Sequence, residues 1–220
     1  MSGRTEQTLL FIGDSITDEG RDHADPGSLG DGWVAMTAGV LRGRREGRGL
    51  TVVNRGIGGN RVVDLAGRWQ HDCLDLAPDV VSVLIGVNET WRRYDSDDPT
   101  DVRTFASRLR GLLRQVADSC GSRLVLAEPF LLPMGEVAQS WREDLDPKRD
   151  AVRDLAEEFG ARLVPLDRAM REAAARSGPE TWSTDGIHPT PAGDALIAAE
   201  WLAAVCPSGV LPQQVAGGAR

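Results

Sequence analysis

The sequence predicts an α/β fold in which a five-stranded parallel sheet is covered by helices on both faces. Five short runs, mostly β-branched or leucine-rich, are spaced along the chain, and each is too short for a buried helix. The runs are Thr8–Gly13, Thr51–Asn54, Asp79–Gly86, Arg123–Glu128 and Arg162–Pro165. Longer segments with helical periodicity lie between them. This alternation is typical of a three-layer α/β/α sandwich.

Four segments repeat apolar residues with the period of a helix. They are Asp64–Leu76, Thr104–Val116, Ala151–Phe159 and Thr190–Val205. In the first of them, Leu65 and Trp69 fall on one stripe, and in the last, Pro191 stands near the first turn, where proline is favoured. We therefore predict an amphipathic helix at each of these four positions.

Length and composition indicate one domain. The chain has 220 residues, of which 41% are hydrophobic, enough for the core of one large α/β domain. We place this domain at residues 1–206. Residues 207–220 are rich in glycine and proline, and we expect them to form a flexible tail.

The charge and the short motifs narrow the expected partners. A net charge of −8 argues against nucleic acid or an anionic membrane as the main partner and favours a small molecule. Three cysteines without a C-x-x-C pair suggest neither a disulfide framework nor a zinc site. The N-terminus lacks the pattern of a secretory signal, and the run Leu9–Ile12 is too short to span a membrane. We expect a cytoplasmic protein whose oligomeric state, including a homo-oligomer, stays open.

Polar residues follow the predicted strands at the edge of the sheet where ligands bind in such folds. Ser15 follows the first strand, although Thr17 occupies the position of the second glycine in a G-x-S-x-G motif. A serine nucleophile needs a base and a carboxylate that orients it. Of the three histidines, His188 is the best candidate base, because Asp185 lies three residues before it.

Two further glycine- and asparagine-containing turns can supply donors to an oxyanion. Gly59 follows the second strand and can offer its backbone N–H without a side chain in the way. Asn88 follows the third strand, where its side-chain amide can point at the same oxygen. The backbone N–H of Ser15 is the third candidate donor.

These blocks resemble those of the SGNH hydrolases, or GDSL esterases. The matching stretches are "GDSIT", the glycine of "NRGIGGN", the asparagine of "GVNE" and "DGIHP". The resemblance implies a flavodoxin-like fold, a Ser15–His188–Asp185 triad and an oxyanion hole of Ser15, Gly59 and Asn88. Neighbouring residues resemble the acetylxylan esterase-like branch, which implies removal of acetyl groups from xylo-oligosaccharides without a metal or other cofactor.

Two positions depart from the family pattern. The family usually has Asp after the asparagine of the third block, and this sequence has Glu89. We expect its carboxylate to help fix the loop, and the extra methylene to shift that loop without abolishing catalysis. Asp194 stands where many relatives have a second histidine.

Four residues are candidates for the substrate side of the site. Trp91, Tyr94 and Trp182 offer flat aromatic faces that suit sugar rings, although such residues also pack loops onto sheets. Asp14 lies next to the serine and either contacts substrate or, as we favour, holds the turn. The expected substrate is a small acyl ester or an acetylated oligosaccharide.

Three other functions stay open on the sequence alone. A lipase- or thioesterase-like hydrolase for longer acyl chains would use the same triad. A sugar-binding module on a decayed hydrolase fold would have lost catalysis. A metal-dependent phosphohydrolase would use Asp14 as nucleophile, with Asp18 and Asp22 holding Mg²⁺, but no lysine stands before Lys148 to bind phosphate.

Overall fold

A computed structural model describes residues 7–44, 49–119 and 121–206. It contains one parallel sheet with strand order β2-β1-β3-β4-β5. The strands are β1 (Gln7–Gly13), β2 (Leu50–Gly56), β3 (Val80–Leu84), β4 (Arg123–Ala127) and β5 (Arg162–Val164). Each lies within two residues of a predicted run at both ends. The predicted five-stranded parallel sheet and its flavodoxin-like order are therefore confirmed.

Eight α-helices occur in the described part of the chain. They are α1 (Ser15–Asp18), α2 (Trp33–Arg44), α3 (Val62–Asp72), α4 (Val87–Asp95), α5 (Val102–Ser119), α6 (Arg142–Glu158), α7 (Leu166–Ser177) and α8 (Pro191–Val205). Short 3₁₀ turns cover Leu74–Leu76, Gln139–Trp141 and Pro179–Thr181.

Alternate residues along the strands belong to two separate apolar cores. Leu9 and Phe11 face a core formed with α2, α7 and α8, whereas Leu10 and Ile12 face a core formed with α3, α5 and α6. Since β1 and β3 are buried on both faces, their side chains are apolar at nearly every position. The protein is thus the predicted three-layer sandwich.

The predicted helices are present as α3, α5, α6 and α8, but α6 begins nine residues before the predicted Ala151. Its first half contains Pro147, which normally interrupts a helix, and its buried face there is polar. Arg142 donates two hydrogen bonds of 2.8 Å to Asp167, and the buried Lys148 pairs with Asp144. Because the buried positions there hold polar residues, this part of the sequence lacks the apolar periodicity that predicts a helix.

Three helices of nine or more residues, α2, α4 and α7, are missing from the sequence prediction. Helix α2 contains Gly39 and Gly43, which lower helix propensity, but it is buried against α8. Helix α4 has nine residues, most of them polar, and the sequence predicts a loop there. Helix α7 carried a usable signal, because Leu166, Met170 and Ala173 follow helical spacing and are all buried.

The ends of the chain and two internal segments lie outside the described residues. The expected flexible tail at 207–220 lies there, as does Cys120, so the predicted domain boundary stays a prediction. Neither Cys73 nor Cys206 forms a disulfide within the described residues. None of the helices that the structure describes combines the length and the apolar character needed to cross a membrane.

Candidate active site

Ser15 is the first residue of α1, and one residue, Asp14, separates it from the end of the interior strand β1. Asp14 caps this one-turn helix, and its Oδ1 accepts a hydrogen bond of 3.1 Å from the Ile16 N–H. A Cβ on Gly13 would approach the Leu84 carbonyl oxygen to 2.1 Å. The glycine of "GDS" therefore lets β1 end close to β3, which brings Ser15 to the switch point of the sheet, where such folds bind ligands.

His188 reaches Ser15 from the loop before α8. Its Nε2 lies 3.0 Å from the Ser15 Oγ, and its Nδ1 lies 2.6 Å from Asp185 Oδ2. The sequence separation between serine and histidine is 173 residues, so only the fold brings them together. This chain of contacts is the geometry by which a histidine takes a proton from a serine and a carboxylate orients the histidine.

The other two histidines lie elsewhere. His71 is on the surface of α3, with a side chain that is 86% exposed. His23 is in an exposed loop, where its Nε2 lies 2.9 Å from Asp18 Oδ1. Among the described histidines, His188 is thus the one whose ring nitrogen contacts Ser15.

The hydrogen bonds of Asp185 favour its charged form. Its Oδ1 accepts the backbone N–H groups of Ile187 and His188 at 2.9 and 2.8 Å, while Oδ2 faces the imidazole. Burial opposes the charge, but the hydrogen bonds from His188 and the backbone outweigh it and hold the pKa of Asp185 below its usual value. At neutral pH this carboxylate is therefore ionised, as a partner of the His188 imidazole should be.

The three candidate donors to an oxyanion belong to Ser15 and to two residues that line a pocket beside it, Gly59 and Asn88. Gly59 has a φ of +76°, a conformation that strains residues with a side chain. Among the described residues, neither the Ser15 nor the Gly59 backbone N–H donates a hydrogen bond. Asn88 donates through Nδ2 to the Asn60 carbonyl at 3.1 Å, which aligns its amide with the loop of Gly59. The fold thus brings the three candidate donors, Ser15, Gly59 and Asn88, to the lining of one pocket.

Two buried carboxyl groups, Asp14 and Glu89, adjoin Ser15 and Asn88 in the chain. Glu89 accepts the Val62 N–H at 2.6 Å through Oε1, so it joins the start of α3 to α4. Burial is the main cause that raises the pKa of Asp14 and that of Glu89 to about 7, and Glu89 further raises that of Asp14. Asp14 is 1% exposed. This burial favours a role in holding the turn over a contact with substrate.

Ser15 and His188 lie between two pockets. The smaller, of about 180 Å³, is also lined by Gly59, Asn88 and Trp91, and by the ion pair of Arg92 and Asp95. The larger, of about 430 Å³, is also lined by Asp18, Glu19, Gly20 and Arg21. A third pocket, of about 580 Å³, includes Leu132 and Arg168 but contains none of the candidate catalytic residues.

The aromatic candidates lie in different places. The Trp91 ring centroid is 5.6 Å from that of His188, and Trp91 lines the smaller pocket. Tyr94 stacks on Trp141 at 4.7 Å, and Trp182 donates through Nε1 to Ser177 Oγ at 2.8 Å. The linings of both pockets at Ser15 include neither Tyr94 nor Trp182. Of the three, Trp91 is therefore the one placed against the reacting groups.

Two residues that the sequence did not single out, Arg68 and Asn54, hold the site together. Arg68 donates to the carbonyls of Arg55 and Gly13 at 2.7 and 3.0 Å and to Asn60 Oδ1 at 2.8 Å. Asn54 is buried and donates to the Thr17 carbonyl at 2.7 Å. The asparagine within the apolar strand β2 could have indicated a structural role for Asn54. Nothing in the sequence distinguishes Arg68 from a surface arginine of an amphipathic helix.

The carboxylates proposed for the metal-dependent alternative are engaged otherwise. Asp18 Oδ2 accepts the Gly58 N–H at 2.9 Å, and Asp22 Oδ1 accepts the Ala24 N–H at 2.9 Å. In residues 7–44, 49–119 and 121–206, no group of three or more His, Cys, Asp or Glu side chains is arranged to hold a metal ion.

Known proteins resemble this chain over most of its length. The GDSL-like Lipase/Acylhydrolase family matches residues 11–196. The acetylxylan esterase of Geobacillus stearothermophilus is 34% identical over 203 residues, which cover 89% of this chain and 92% of that enzyme.

Solved structures agree in fold as well as in sequence. A GDSL-like lipase from Parabacteroides merdae superposes with a TM-score of 0.88 at 36% identity, covering 92% of this chain and 97% of that one. The Geobacillus enzyme, also described as an acetyl-xylooligosaccharide esterase, superposes with a TM-score of 0.84 at 33% identity, covering 93% and 96%. The chain therefore belongs to the GDSL-like lipase/acylhydrolase family, and it is a carboxylic ester hydrolase with the SGNH hydrolase fold.

Proposed function

We propose that the protein is a serine esterase that removes acetyl groups from xylo-oligosaccharides or related carbohydrates. The observation that carries this proposal is the line of contacts from Ser15 Oγ through the His188 imidazole to Asp185, at 3.0 and 2.6 Å. These distances are within hydrogen-bond reach, which is what transfer of the serine proton to a base requires.

The first half of the reaction forms an acetyl-enzyme. Ser15 Oγ attacks the acetyl carbonyl carbon, and its proton passes to His188 Nε2. The N–H groups of Ser15 and Gly59 and the side chain of Asn88 bind the oxyanion of the tetrahedral intermediate. The bond to the sugar oxygen then breaks, and His188 returns the proton to that oxygen, which leaves as a hydroxyl group.

The second half releases acetate. His188 takes a proton from a water molecule, whose oxygen attacks the carbonyl carbon of the acetyl-enzyme. The bond between this carbon and Ser15 Oγ breaks, and His188 gives the proton back to the serine. Asp185 keeps the imidazole oriented and stabilises its charged form in both halves.

The size of the smaller pocket supports a short acyl group. Its volume is about 180 Å³, whereas a cavity of about 150 Å³ holds one benzene molecule. Because this pocket contains Gly59 and Asn88, the carbonyl oxygen has to bind there. An acetyl group fits in the remaining space, whereas an octanoyl chain would extend beyond the space lined by Trp91 and the ion pair of Arg92 and Asp95.

The carbohydrate part of the proposal rests on the likeness to the Geobacillus acetylxylan esterase. The alternative within the same chemistry is an SGNH hydrolase for longer acyl chains. Activity that falls from acetyl to octanoyl esters would support the acetyl esterase, and activity that rises would establish the alternative. Release of acetate from acetylated xylo-oligosaccharides tests the substrate class, and sugar binding without release would favour a binding module.

The decisive variant is Ser15→Ala, assayed on p-nitrophenyl acetate. We expect kcat to fall at least about 10³-fold, because loss of the nucleophile removes the covalent step. Ser107→Ala, on the exposed face of α5, is the matched control and should retain wild-type activity. Residual activity near the wild-type rate in Ser15→Ala would refute the proposal.

The proposed reaction needs no metal or cofactor, and its partner is the ester itself. Activity should therefore survive a chelator, whereas activity lost with chelator and restored by Mg²⁺ would favour the phosphohydrolase. Neither nucleic acid nor a membrane has a part in the proposal. The cytoplasmic location and a homo-oligomeric state stay predictions.

A further inference from the structure

Glu19 lies at the end of α1 and lines the larger pocket together with Ser15 and His188. It is half-buried. Among the described residues, its carboxylate takes part in no hydrogen bond or ion pair. The proposed reaction does not use it, so a carboxylate without a partner stands beside the reacting groups.

The neighbouring polar groups of this pocket already have partners. Asp18 accepts the Gly58 N–H at 2.9 Å and contacts His23 at 2.9 Å. Arg21 donates through Nε and Nη2 to the Gly56 carbonyl at 3.2 and 2.9 Å. Among the side chains that the structure describes around this pocket, Glu19 is therefore the carboxylate that is left for a ligand.

The fold fixes the position of Glu19. Its carbonyl accepts the Asp31 N–H at 2.8 Å, and its side chain lies across Gly32. A Cβ on Gly32 would come within 2.5 Å of the Glu19 Cγ, so the absence of a side chain at residue 32 makes room for it. Burial raises the pKa of Glu19, the charge of His188 opposes that rise, and Asp31 and Asp18 add to it.

The two pockets at Ser15 can be assigned to the two parts of an ester. The smaller pocket contains Gly59 and Asn88 and takes the carbonyl oxygen and the acyl group. The larger pocket, of about 430 Å³, lies within the size range of small-molecule sites. It is left for the alcohol, whose oxygen receives a proton from His188.

We propose that Glu19 accepts a hydrogen bond from a free hydroxyl group of the leaving alcohol and so selects esters of polyhydroxy alcohols. This inference rests on the proposed ester hydrolysis at Ser15. A carboxylate is a strong acceptor for a hydroxyl group, and one without a protein partner does not have to give up another contact to bind it. Glu19 is then a specificity-determining residue on the alcohol side of the site.

The test compares two acetate esters with the same carbon skeleton. Glycerol 1-acetate carries two free hydroxyl groups, and n-propyl acetate carries none. We expect the wild type to have the higher kcat/KM for the glycerol ester. We further expect Glu19→Gln to lower the ratio of the two kcat/KM values about tenfold, as for loss of a hydrogen bond to a charged group. Glu157→Gln, on the exposed face of α6, should leave the ratio unchanged.

If Glu19→Gln folds poorly, a second variant, Glu19→Asp, and the ester preference of the wild type still test the proposal. Glu19→Asp withdraws the carboxylate by one methylene and should also lower the ratio. A wild type without preference for the glycerol ester, or a ratio that neither Glu19 variant moves, would overturn the role of Glu19 alone. Failure of the wild type to hydrolyse either ester would instead overturn the proposed function, and this inference with it.

Discussion

The loop that carries Asp185 and His188 is held mainly by hydrogen bonds within itself. The residues around the proposed oxyanion position are instead held by contacts between distant parts of the chain. In the loop, Asp185 accepts two backbone N–H groups, and Ser183 donates to the His188 carbonyl at 2.8 Å. Around the oxyanion position, Val62 donates to Glu89 across 27 residues, and Asn88 donates to the carbonyl of Asn60 across 28 residues.

The pKa values of the carboxyl groups in the two regions are also shifted in opposite directions. The loop lowers the pKa of Asp185, whereas burial raises that of Asp14 and that of Glu89 to about 7. A negative charge beside the imidazole stabilises its protonated form, but a negative charge beside the oxyanion would oppose the charge that forms there. The surroundings thus favour the charged form of the carboxyl group on the histidine side and disfavour the charged form of the two carboxyl groups on the other side.

The largest expected effect comes from removing the charge on the histidine side. We expect Asp185→Asn to lower kcat on p-nitrophenyl acetate about 10⁴-fold, because the amide favours the wrong tautomer of His188 and cannot stabilise its charge. Asp154→Asn, on the exposed face of α6, is the control. A loss of less than about tenfold would show that the charge of Asp185 is not what the reaction depends on.

A smaller loss is expected on the oxyanion side. Asn88→Ala removes one of three candidate donors and should lower kcat about 10²- to 10³-fold, since the backbone donors of Ser15 and Gly59 remain. Gln115→Ala, on the exposed face of α5, is the matched control. If Asn88→Ala costs as much as Asp185→Asn, the two regions do not differ in the way proposed.

The same difference explains how much of the site the sequence could predict. The histidine side is local: the Asp-x-x-His spacing alone indicates a contact that the fold places at 2.6 Å. Ser15, Gly59 and Asn88 could be named because each follows a strand, and parallel strands end at one edge of the sheet. Their mutual geometry depends on long-range contacts, which no spacing reveals.

The residues whose positions the sequence did not predict are those that depend on such long-range contacts. Arg68 joins the ends of two strands from a helix, and Glu19 depends on the missing side chain of Gly32. Tyr94 follows Asn88 closely in sequence, but as part of α4 its ring stacks on Trp141. In the fold, the strong apolar periods predicted their helices, whereas the start of α6 carries buried ion pairs that hid it.

The last prediction uses the pH dependence of stability to separate the two carboxyl environments. Asp14 has a folded-state pKa of about 7 against an ordinary value of 3.8. Between these values the folded state binds more protons than the unfolded state, so the unfolding free energy falls as the pH rises. Glu89 and Asp194, whose pKa values burial also raises to about 7, act in the same direction. Each group contributes at most about 1.4 kcal/mol per pH unit.

Asp185 acts with the opposite sign, because its pKa is lowered in the folded state. Its contribution to the unfolding free energy is fully present above pH 3.8, the ordinary pKa, and is lost as the pH falls through the folded-state pKa. Urea unfolding between pH 5 and pH 7 should therefore show wild-type stability decreasing with pH. Asp14→Asn keeps an acceptor for the Ile16 N–H but cannot titrate, so its slope should be shallower by about 1 kcal/mol per pH unit. Asp185→Asn should leave the slope in this range unchanged. Equal slopes in the wild type and Asp14→Asn would mean that Asp14 is charged in the folded protein at pH 5. The proposed difference between the carboxyl groups of the two regions would then be wrong for Asp14.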